Sequence, residues 1–135
     1  MNTPLRTTTI AAVLSLALSA AASAATIRLA PLSPRTAGAS IGTCADPFAA
    51  AAVTAAAHAD LPAIAAGQNV TGTTAVRIVL DAAGRLAEES VLASSGNRWI
   101  DRAALGAARQ SSYRAEIHAC APVGGAYAFV VNFTR

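Results

Sequence analysis

TTAVRIVLDAAGRLAEESVLASS, residues 73–95, is the stretch on which the fold turns. Val76, Ile78 and Leu80 alternate with Arg77 and Val79, the two-residue period of a strand. DAAG, residues 81–84, is a hairpin loop ending in glycine, and RLAEESVLAS, residues 85–94, reads as the returning strand. The next stretch, SSGNRWIDRAALGAARQSSY (94–113), changes period: from a cap at Ser95 or Asn97, the residues Ile100, Ala103, Ala104, Ala107 and Ala108 fall on one helical face. That face is nearly flat, which lets a helix lie close to a sheet, with Ile100, Trp99 and Leu105 adding bulk.

The last strand is the clearest element. Tyr127, Phe129, Val131 and Phe133 alternate with Ala126, Ala128, Val130 and Asn132, so the larger side chains point one way. The order strand, turn, strand, helix, strand has one simple solution. A right-handed crossover brings the last strand parallel to the returning one, where it pairs antiparallel with the first hairpin strand. The expected fold class is α+β: a small antiparallel sheet of three to four strands (hairpin, crossover helix, final strand) with two helices on one face. The final strand then lies at an edge.

Outside this block, Met1 to Arg6 carries one positive charge and precedes an apolar run from Ile10 to Ala22 and an Ala22-Ser23-Ala24 cleavage pattern. These are the parts of a secretory signal peptide over residues 1–24. An apolar run of about 13 residues is short against the roughly 20 of a membrane span, so cleavage is favoured and retention as an anchor is the alternative. No membrane span follows it, and the expected location is periplasmic or secreted. Residues 25–43, with prolines and glycines among small polar residues, read as a flexible lead-in, and residues 44–135 as one domain. The chain has ten arginines, no lysine and seven acids. The arginines are scattered, which gives no nucleic-acid footprint.

In CADPFAAAAVTAAAHADLP (44–62) local signals favour a helix, because Asp46 and Pro47 suit a helix start and alanine has the best propensity. PAIAAGQNV (62–70) reads as one or two helical turns, opened by Pro62 and stopped at Gly67. An even pair of cysteines, Cys44 and Cys120, in an exported chain is most simply a disulfide, which the chain-entropy model values at roughly 4.5 kcal/mol for a loop of this size. The rival is a metal site completed by His58 and His118. The spacing does not match zinc ligand pairs, so no metal and no cofactor is expected.

Ser94 and Ser95 invite a catalytic reading, but a nucleophile needs a histidine base and an acid behind it. The chain has no G-x-S-x-G elbow, and both histidines lie far away in sequence. The serines are better explained as strand end and helix cap, Gly96 as the tight turn, Asp101 as a carboxylate facing the helix dipole and Trp99 as a partial lid on the core. An enzyme is not expected.

Taken together, Leu61-Pro62, GTTAVRIVLDAAGRL (72–86), SSGNRWIDRAALGAAR (94–109), SSYRAE (111–116) and YAFVVNF (127–133) resemble the C-terminal domain of the TonB family of energy transducers, over roughly residues 48–135. The pattern departs from the family after Tyr113, where Arg114 and Ala115 stand in place of the usual proline, and in lacking a long proline-rich spacer. With its cysteine pair and CAPVGGAY (120–127), the chain is similar to short exported TonB-like proteins. In those the segment before Leu61-Pro62 is extended, so the resemblance implies an extended 50–58. It further implies a binding module for transmembrane transport, in which the TonB box peptide of an outer-membrane receptor adds beside the last strand. The partner-binding residues would be Ala126, Tyr127, Ala128, Phe129, Val130, Val131, Asn132 and Phe133, and pairing of two such edges would give a homodimer. The alternative is a structural or envelope-interaction protein that keeps the fold without transduction. Exposed apolar edges are usually covered, and the bridge would set residues 50–58 beside the last strand as that cover.

Overall fold

The computed structural model describes residues 24–33 and 43–134. The expected signal peptide, Ala24 apart, and residues 34–42 of the expected lead-in lie outside these residues. Along the chain run β1 (Ala24–Pro31), β2 (Phe48–Ala49), β3 (Ala52–Ala55), α1 (Ala63–Gly67), β4 (Gly72–Leu80), β5 (Leu86–Ala93), α2 (Arg98–Gln110), β6 (Ser112–Arg114), β7 (Glu116–His118), β8 (Ala121–Val123) and β9 (Gly125–Thr134). The fold is a small α+β domain. Its main sheet has the order β1-β9-β4-β5, all neighbours antiparallel. Smaller sheets join β2-β7-β8 and β3-β6.

The core forms where the two-residue and helical periods meet. Val76, Ile78 and Leu80 of β4 and Tyr127, Phe129, Val131 and Phe133 of β9 point to one side and are buried. Ile100, Ala103, Ala104, Ala107 and Ala108 of α2 close over them. Because alanine carries no side chain beyond Cβ, the weight of the apolar burial falls on the two central strands, each aromatic or branched residue contributing about 1.5–3 kcal/mol.

The β4–β5 hairpin is tied by one carboxylate. Asp81 accepts from the backbone N–H of Ala83 (2.9 Å) and of Arg85 (2.8 Å) and from Nε of Arg85 (2.8 Å). The backbone and guanidinium of Arg85 hold the Asp81 carboxyl below its ordinary value. Gly84 has φ 78°, and a Cβ there would stand 2.8 Å from the carbonyl oxygen of Tyr113. Glycine is needed for both reasons, the left-handed backbone and the close approach. Gly84→Ala is therefore expected to cost about 2–3 kcal/mol, the left-handed penalty of about 1–2 kcal/mol plus the displaced neighbour. Urea unfolding checks this, and a loss below about 1 kcal/mol would show that the loop relaxes freely.

Two expectations about the periphery fail. Residues 25–31, the start of the expected flexible lead-in, form with Ala24 an eight-residue strand. Thr26, Arg28 and Ala30 alternate with Ile27 and Leu29, so the strand period was present beneath the proline signals. Residues 52–55 are extended, as the resemblance implied against alanine's helix propensity, but they pair with β6 and not with the last strand.

Candidate interaction surface

The last strand is not an edge. β9 is paired along its length on both sides, by β4 from Gly72↔Phe133 to Leu80↔Gly125 and by β1 from Ala24↔Thr134 to Pro31↔Tyr127. All eight residues from Ala126 to Phe133 have a β4 partner, and those from Tyr127 to Phe133 also have one in β1. Leu32 continues the pairing with a backbone bond to the Ala126 carbonyl (3.1 Å). The cover expected from residues 50–58 is thus supplied by residues 24–31.

The two neighbours of β9 are held differently. β4 buries four side chains beneath α2. From Ala25 to Pro31, β1 buries none: Ile27 and Leu29 are half-buried against the core, whereas Thr26, Arg28, Ala30 and Pro31 are exposed. Most of what fixes β1 is its row of main-chain hydrogen bonds, the kind any extended peptide can make. Among the described residues the outer sides of β1 and β5 have no strand partner in this sheet, and on β5 Val91 and Leu92 are exposed.

The turn that seats α2 has a single anchor. Asn97 caps the helix by accepting from the Trp99 N–H (2.9 Å), and Gly96 takes φ 82°. Asp101 does more than face the dipole. It accepts from the Thr74 hydroxyl (2.6 Å), the Ser95 N–H (2.9 Å), the Ser95 hydroxyl (2.9 Å) and the Ser94 hydroxyl. Burial works to raise its pKa, but the hydrogen bonds from Ser94, Thr74 and Ser95 outweigh it and bring the carboxyl down to about 2. Ser94 and Ser95 are consequently donors to a carboxylate, with no histidine among their hydrogen-bond partners. Ser111, buried at the end of α2, accepts from the Ala57 N–H (3.0 Å) and fixes the extended segment against the helix.

Cys44 and Cys120 form a disulfide. Cys120 and Ala119 make the two-residue loop between β7 and β8, both with positive φ (65° and 51°). The Cys120 N–H donates to the Pro47 carbonyl (3.1 Å), and the His118 ring packs on Phe48 at 5.1 Å. Both cysteines being spent in the bridge, the metal reading has lost its thiolates, and among the described residues no group of three or more His, Cys, Asp or Glu side chains comes together.

His58 lies elsewhere, on an open groove of about 130 Å³ between the segment before α1 and one face of α2, with Asp60, Pro62, Trp99, Arg102 and Gly106 among its lining. Trp99 is half-buried there as a wall rather than as a lid on the core. Sequence reading missed this groove, although a glycine inside an alanine-rich helix was its signal.

A family model for the Gram-negative bacterial TonB protein C-terminal matches residues 57–134, which hold α1, β4, β5, α2 and β6 to β9. The chain belongs to the TonB C-terminal family. No curated protein and no solved structure matches it. TonB C-terminal domains are periplasmic transport and binding modules without catalysis, which makes this chain an envelope module related to transport. Among the described residues no helix is long and apolar enough to cross a membrane. β1 lies outside the matched residues.

Proposed function

We propose that this chain is an exported, periplasmic, non-catalytic binding module that accepts an extended segment of a TonB-dependent outer-membrane receptor beside β9, in the place β1 holds. The observation that carries the reading is the contrast between the two flanks of β9. β4 is locked by buried side chains, whereas β1 offers little beyond its backbone and two half-buried residues. An incoming strand makes the same main-chain bonds, and pockets at the positions of Ile27 and Leu29 select an apolar residue at every second place. Because β1 is tethered, it competes at an effective concentration in the millimolar range. Receptor peptides bind weakly until β1 is loosened.

The test is hydrogen exchange on the mature protein with receptor TonB-box peptides, alongside an Ile27→Asn, Leu29→Asn double variant. On peptide binding, amides of residues 25–31 are expected to lose protection while those of 126–133 keep it. The variant is expected to bind at least tenfold more tightly. Binding that leaves β1 protected would place the peptide at another edge and overturn strand replacement. The covered β9 also favours a second reading, an envelope-interaction protein that keeps the fold without transduction. Absence of receptor-peptide binding by both the mature protein and the variant would select it. A homodimer through the free β5 edge, carrying exposed Val91 and Leu92, is checked in the same samples by sedimentation equilibrium.

A further inference from the structure

The groove beside α2 is built around a glycine that the chain does not need for its own packing. Gly106 lies within α2, where glycine costs about 1 kcal/mol relative to alanine. Its neighbours at 103, 104, 107 and 108 are all alanine. A Cβ at Gly106 would meet only Nε2 of Gln110, at 3.9 Å. The missing methyl therefore clears space toward solvent, in the floor of the groove. The wall beside it is Trp99, whose ring carries the Arg98 guanidinium 4.6 Å and the Arg102 guanidinium 5.9 Å from its centroid.

Charge says what the space receives. The described ion pairs use Arg77 with Glu88, Arg85 with Asp81 and Arg109 with Glu89. Arg98 and Arg102 have no carboxylate partner among the described residues; Arg102 lines the groove, and Arg98 is stacked on the Trp99 ring that forms its wall. Asp60 is the one acid in its lining, and His58 is the other titratable group besides Arg102. The groove is open to solvent, with about 130 Å³ available, room for a side chain to seat between Trp99 and Pro62.

We propose that this groove is a docking site for an acidic peptide segment of a partner protein. One apolar side chain of that segment seats over Gly106 against Trp99 and Pro62, and a neighbouring carboxylate pairs with Arg102 and Arg98. The site is separate from β9 and does not depend on strand replacement there.

Trp99 is the sole tryptophan of the chain, so its fluorescence reports on this site alone. The disulfide-bonded mature protein is titrated with a hexapeptide of alternating leucine and glutamate and with its leucine–glutamine counterpart. The acidic peptide is expected to shift Trp99 emission saturably, with at least tenfold higher affinity than the neutral one, and to weaken as salt is raised. Gly106→Leu is expected to abolish the response and Arg102→Gln to weaken it about tenfold. Gly106→Ala serves as the folding control, with a melting temperature a few degrees above the parent. Equal affinity for the two peptides, no response to either, or an unchanged response in a folded Gly106→Leu protein would each overturn the proposal. So would an emission shift with anionic phospholipid vesicles and none with the peptides, which would assign the surface to lipid headgroups.

Discussion

A chain in which Cys44 and Cys120 are both serine is expected to be less stable than the bridged protein by about 4 kcal/mol. The bridge joins residues 76 apart in sequence, and in the chain-entropy model its removal returns roughly 4.5 kcal/mol of freedom to the unfolded state. The contacts around it recover little of that. β2 is only two residues long, and the β7–β8 loop places Ala119 and Cys120 in the left-handed region that residues other than glycine occupy at a cost of about 1–2 kcal/mol each. Against the 5–15 kcal/mol of an ordinary domain, and with α2 contributing mainly alanine to the core, the loss is a large part of the total. Urea unfolding of both proteins measures it. A difference below about 1 kcal/mol would mean that the 44–49 segment is fixed by its other contacts and that the bridge is incidental to stability.

How far the fold could be read in advance follows from where local and long-range forces agree. β4, α2 and β9 were legible because each has one periodic apolar face and the three share a core, so pattern and burial coincide, whereas β5, largely exposed, was legible from the glycine-containing turn that precedes it. The family resemblance rested on the same block. β7 and β8 left almost no trace, since their connecting turn uses Ala119-Cys120 with both φ positive, where an asparagine and a glycine would have signalled it. The turn is held by the bridge and by the Pro47 carbonyl, both distant in sequence. β1 was lost differently. Its alternation of Ile27 and Leu29 with polar or small residues is real, but its partner is a strand about 100 residues on, and the nearby prolines argued for a lead-in. That single omission put β9 at an edge and assigned its cover to residues 50–58.

The interaction surface was legible in kind more than in place. Alternation in residues 126–133 located the strand, but whether a strand is an edge depends on every other strand in the sheet. The groove at Trp99 needed the approach of the segment before α1 to one face of α2, which no periodicity encodes. Ser94, Ser95 and Asp101 show the opposite case. The sequence SSG followed by an aspartate five residues later looks like loose polar punctuation, yet those spacings bring two hydroxyls and a backbone N–H onto one carboxylate.

That carboxylate carries the second large expected effect. Asp101→Ala should cost about 3–4 kcal/mol, since hydrogen bonds to a charged group contribute about 1.5–3 kcal/mol each and the fully buried Thr74 hydroxyl would lose its partner. Thr74→Val in the same chain should recover part of that loss, because removing both partners spares the unsatisfied donor. Asp101→Asn keeps the shape and isolates the charge. The folded-state pKa of about 2 lies below the ordinary 3.8, so the carboxylate's contribution is fully present above about pH 4 and is lost as pH falls toward 2. Stability of the parent should therefore drop more steeply between pH 4 and pH 2 than that of Asp101→Asn, with the two curves parallel above pH 5. Urea midpoints taken at half-unit steps of pH decide it. Parallel curves throughout would show that Asp101 titrates normally and that the turn onto α2 is held by Asn97 and packing alone.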